Sequence, residues 1–68
     1  MLHRLDLHGI RHEEVDRLVE NFVLLNTPPM RIITGNSHKM RDLVRNVLDR
    51  HSINYEMFKP SQITILGE

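Results

Sequence analysis

The chain has 68 residues, of which 40% are hydrophobic and 26% charged, so it is long enough for one globular domain spanning 1–68 and too short for two. It contains no cysteine, which excludes disulfide frameworks, thiolate metal clusters and thiol nucleophiles. Lys and Arg number 9 and Asp and Glu number 9, a formal charge of zero with a pI near 7.0, so any polyanion partner must be met by a local patch rather than by a basic surface overall.

Arg4-Leu5-Asp6-Leu7-His8 alternates apolar and polar residues with period two and stops at Gly9, predicting a first strand with one buried face. From His12 the period changes. Val15, Leu18, Val19, Phe22 and Leu25 fall on one helical stripe, and Glu13, Glu14 and Asp16 sit where negative charge suits a helix N-terminus. Asn26-Thr27-Pro28-Pro29 ends that helix. Met30-Arg31-Ile32-Ile33-Thr34 is a β-branched run closed by Gly35, which predicts a second strand. Met40, Leu43, Val44, Val47 and Leu48 then mark a second helix, capped by Asn36 or Ser37 and stopped by a left-handed residue at Asn54. Tyr55–Phe58 and Ile63–Leu66 read as two strands joined through Lys59-Pro60-Ser61-Gln62 as a hairpin.

The predicted order is β-α-β-α-β-β, an α/β chain of the two-layer α+β sandwich kind. Two βαβ units make the first two strands parallel, and the hairpin gives the small mixed four-stranded sheet an antiparallel edge. The longest apolar run, Phe22–Leu25, is too short to span a bilayer, and Met1-Leu2-His3-Arg4 has no signal-peptide core, so the expected location is the cytoplasm.

Ligands in such sheets bind outside the carboxyl ends of the parallel strands, here His8-Gly9 and Thr34-Gly35, which hold two of the three glycines. Asp6 and His8, two apart on a strand, would share a face, and a carboxylate beside an imidazole suits general acid-base work on a phosphodiester. Thr34-Gly35-Asn36-Ser37-His38-Lys39 joins a strand to a helix start, where free N–H groups attract anions. His38 and Lys39 oppose the helix dipole there, and Arg41 and Arg45 follow at helical spacing. A bound phosphate would relieve that conflict, although a solvated basic face partnered by Asp42 and Asp49 accounts for the same residues. His8, His12, Glu13 and Asp6 do not have assured metal-ligand geometry, so no metal site is assigned and a divalent cofactor stays open. Tyr55 is the most available aromatic for stacking on a base.

Leu5-Asp6-Leu7-His8-Gly9 resembles the LDLHG signature of the Smr (small MutS-related) domain family, and Thr34-Gly35 falls where that family has its second motif, TGxG. The likeness covers nearly the whole chain. It implies a nucleic-acid-binding domain acting as a DNA or RNA nicking endonuclease, with Asp6 and His8 as catalytic residues and Gly9 as the turn glycine. Gly35, Asn36, Ser37, His38, Lys39, Arg41 and Arg45 would then hold the phosphates. Ser37 stands in place of the second TGxG glycine, and His38 lies one position before the histidine usual in TGxGxHS. These departures leave a non-catalytic nucleic-acid-binding or protein-interaction adaptor as the alternative. The preferred nucleic acid and the oligomeric state are not fixed by the residues.

Overall fold

A computed structural model of the chain describes residues 2–66. The elements are β1 (His3–Asp6), α1 (His12–Leu25), β2 (Met30–Ile33), α2 (His38–Arg50), β3 (Glu56–Lys59) and β4 (Gln62–Ile65), the order expected. They form one mixed sheet in the spatial order β1-β2-β4-β3. β1 and β2 are parallel with Asp6 opposite Ile33, and β4 runs antiparallel to both β2 and β3. The second βαβ unit is therefore split, because β4 inserts between β2 and β3.

Both helices cover one face of the sheet; the other carries no helix, although Thr64 is buried there. Leu7, Met30, Ile32, Ile63 and Ile65 share a single buried cluster with Val15, Val19 and Val23 of α1 and Met40, Val44, Val47 and Leu48 of α2. Both helices thus lie on the same side, and they pack against each other. On β1 the alternate residues Arg4 and Asp6 are exposed, as the period-two pleat requires, while all of the edge strand β3 is exposed. Removing about 25 cal/mol of unfavourable hydration per Å² of apolar surface buried is the main force holding the two layers together.

The α1 stripe is rotated slightly from the one expected. Val23 is buried, and Leu25, the last residue of α1, is 81% exposed. α2 keeps its expected face, with Leu43 half-buried. Its stop differs: the left-handed residue is Ser52, with φ 56°, and not Asn54. The Ile53 N–H donates to Leu48 O at 2.9 Å and the Ser52 N–H to Asp49 O at 3.1 Å, the paired bonds of a Schellman ending, with Ile53 packed on the core. The hydrophobic Ile53 decides where the helix turns back.

The strands are also trimmed. β1 closes at Asp6, β2 at Ile33 and β3 opens at Glu56, while Lys59 and Gln62 join the ladder and leave only Pro60-Ser61 as the turn. Ser37 is the N-cap of α2, its Oγ accepting from the Met40 N–H at 3.1 Å. Ser37→Ala is expected to lower stability by about 1 kcal/mol, measured by urea unfolding.

Candidate functional site

The two strand-end turns stand side by side. Asp6 and Ile33 are partners at the ends of parallel neighbours, and the Leu7 N–H extends the ladder by donating to Ile33 O at 2.9 Å. The His8-Gly9 turn and the Gly35-Asn36 turn therefore emerge from adjacent strands about 4.8 Å apart. Gly9 has φ 80° and Gly35 has φ 69°, a conformation that glycine adopts without cost and that a Cβ would strain by roughly 1–2 kcal/mol. Both glycines are needed for backbone shape. No atom lies within 4 Å of where either Cβ would stand.

Asp6 and His8 do not belong to one strand. The chain turns at His8, and Asp6 Oδ1 accepts the His8 backbone N–H at 2.9 Å, so the carboxylate fixes the turn rather than orienting the His8 ring. Asp and Asn side chains commonly bond the backbone two residues on in this way at a turn. Leu7 between them is fully buried, and both Asp6 and His8 are exposed. A shallow depression lined by Gly9, Ile10, Arg11, His12 and Glu13 continues from that turn.

On the neighbouring turn, the N–H groups of Thr34 and Gly35 both donate to Ser61 O, at 2.9 and 3.2 Å. The buried Thr34 also donates its hydroxyl to Gly35 O at 3.1 Å. The N–H groups of Asn36, Ser37, His38 and Lys39 make no backbone hydrogen bond among the described residues, so the free donors begin at Asn36. Ser37 has φ −84°, which any residue adopts, so the turn does not require glycine there, and the serine adds the cap that a glycine would lack. His38 and Lys39 are exposed in the first turn of α2, which contains no acidic residue.

Arg41 is less free than its position in the sequence implies. One guanidinium nitrogen donates to Pro60 O and another lies 2.6 Å from His38 Nδ1. Arginine has only donors, so the imidazole is the acceptor in this contact. Arg41 straps the β3–β4 turn and the start of α2 to each other. Arg45 donates from Nε to the Tyr55 hydroxyl at 3.2 Å, and that bond, with weaker help from the charges of Asp42 and Asp49, holds the guanidinium even more basic than usual. Tyr55 is half-buried and engaged, whereas Phe58 is 69% exposed and is the aromatic ring open to solvent. Nothing in the local pattern pointed to Pro60 and Ser61. Their link to Thr34 spans all of α2 and β3, and only the split βαβ order brings them there.

Comparison with known protein families, curated proteins and solved structures gives no match.

The neutral net charge hides an uneven distribution. Glu13, Glu14, Asp16 and Glu20 of α1 pair with Arg11, Arg17, Arg50 and His51, at 3.4, 2.8, 3.2 and 3.0 Å. The last two pairs tie the end of α2 to α1. Among the described residues, Arg4, Arg31, Lys39, Arg41, Arg45 and Lys59 join no ion pair. Asp42 and Asp49 do not close on the basic residues of α2, and the acids that are matched lie on the other helix. Three or more metal-ligating side chains do not gather at one place among the described residues, so Asp6, His8, His12 and Glu13 form no such group. No described helix is long and apolar enough to cross a membrane.

Proposed function

We propose that this chain is an Smr-like nucleic-acid-binding domain whose paired strand-end turns hold a phosphodiester and nick DNA or RNA. The observation that carries the reading is the register of β1 and β2, which sets His8 on one turn beside the free N–H groups of Asn36–Lys39 on the next. Those N–H groups and the α2 dipole receive phosphate oxygens, and Lys39 adds a mobile charge. His8 takes the proton of an attacking water or returns one to the leaving oxygen, and the second oxygen of Asp6 is left to position that water.

A non-catalytic binding module is the second reading. It is favoured by the Asp6 bond to the His8 backbone, which leaves the imidazole without a carboxylate to orient it. Supercoiled plasmid and labelled single-stranded RNA, each with and without EDTA, separate the two. Cleavage is the expected result, and the EDTA arm decides whether a divalent ion takes part. Retardation on a gel at low salt with no cleavage selects the binding module, and neither outcome with either substrate overturns the proposal.

The charge at Lys39 gives a further expectation. Lys39→Glu should weaken binding to all sequences alike and lower the slope of log affinity against log salt by about 1, measured by fluorescence anisotropy. Lys39 is exposed, so its fold is expected to be unchanged by circular dichroism.

A further inference from the structure

The face of the sheet away from the helices carries a second positive feature. Arg4 on β1 and Arg31 on β2 are register partners, and so point from the same face of adjacent strands about 4.8 Å apart. Like charges directly opposite each other destabilise a sheet, and neither arginine has an acidic partner among the described residues. Arg31 is half-buried, and its Nε is enclosed with no hydrogen-bond acceptor. A buried donor left without an acceptor is rare in folded proteins. The next strand offers the uncharged Thr64 as the register partner of Arg31, and Glu56 of β3 comes after it in the same row without closing on either arginine.

This pair lies on the same side of the sheet as the strand-end turns' exposed residues. Arg4 and Asp6 lie on the helix-free face of β1, and the exposed His8 follows on the turn that leaves the strand. Asp6 has one oxygen drawn into the turn by the His8 N–H. Resting on the proposed function above, we infer that the helix-free face is the track for a single nucleic-acid strand, whose backbone runs from the strand-end turns across Arg31 and Arg4. No aromatic residue lies at the register positions of that face on β1, β2 and β4, so contact there is with phosphates and carries no base preference.

The test is fluorescence anisotropy with labelled single-stranded DNA, a trinucleotide against a strand of about twelve nucleotides, over a range of salt. The wild type is expected to bind the longer strand more tightly. The double variant Arg4→Ala with Arg31→Ala should lose roughly tenfold in affinity for the longer strand and about 1.4 in salt slope, two contacts at about 0.7 each. Its affinity for the trinucleotide should be unchanged. Arg4→Glu alone, at an exposed position, gives the same direction should the Arg31 change unfold the chain. Unchanged affinity and slope in both variants overturns the inference. Equal affinity of the wild type for both lengths also overturns it, confining the site to the turns and leaving the proposed function standing. No binding of either strand by the wild type removes the proposed function and the track together.

Discussion

Replacing His8 by alanine is expected to lower strand cleavage by about 10²–10⁴-fold, the range that a positioned acid or base supplies. Binding should hardly change. His8 is exposed, its ring takes no part in the core, and the bond from its backbone to Asp6 survives the substitution. In the proposed function, affinity is expected to reside instead in the N–H groups of Asn36–Lys39 and in the unpaired cations. Plasmid nicking measured beside gel retardation separates the two quantities. A variant that still nicks at the wild-type rate would place the proton transfer elsewhere.

Leu7→Ala should have the largest effect on the fold, a loss of about 2–5 kcal/mol. Domains of this size have total stabilities on the order of 3–10 kcal/mol, so the variant would be partly unfolded at ordinary temperature. The reason is position. Leu7 is fully buried in the cluster shared with Val15, Ile32 and Ile63, and its N–H donates to Ile33 O, so it anchors both the core and the junction of the two turns. A cavity there loosens the site from beneath. Thermal unfolding by circular dichroism checks it, with a fall in Tm of roughly 10–30 °C expected.

Leu7 also shows why so much of the architecture was legible along the chain. Alternation in Arg4–His8, the helical stripe of Met40–Leu48 and the glycines after each parallel strand are local consequences of burial and backbone shape, and each reappears in the structure. Where local and distant forces compete, the pattern was less informative. Ser52 takes the left-handed position because Ile53 must reach the core, although asparagine at 54 has the better intrinsic preference. Asp6 bonds the His8 N–H because strand pairing stops there, which spacing alone does not reveal.

The candidate site was legible in outline only. The two turns could be named from the sequence, since glycine at positive φ leaves a clear signal. What holds them could not. Ser61 O receives two N–H groups from the Thr34-Gly35 turn, and Arg41 reaches Pro60 O, because β4 inserts beside β2. Arg41 and Arg45 read as free phosphate ligands along the helix, yet both are held by side chains or carbonyls from β3, β4 and their approaches. Ser37 read as a defect in a glycine motif, and its φ of −84° and its bond to Met40 show a helix cap.

The central claim is that the paired strand-end turns are where nucleic acid binds. It is tested most directly by titrating the isotope-labelled domain with a single-stranded oligonucleotide and following each backbone amide by NMR. Shifts are expected to concentrate at His8, Gly9 and Asn36–Lys39 and to spread to Arg4 and Arg31 as the strand lengthens. Shifts gathered instead at the opposite end of the sheet, around the cleft of about 240 Å³ lined by Val23, Asn26, Met30, Ile53 and Ile65, would contradict it.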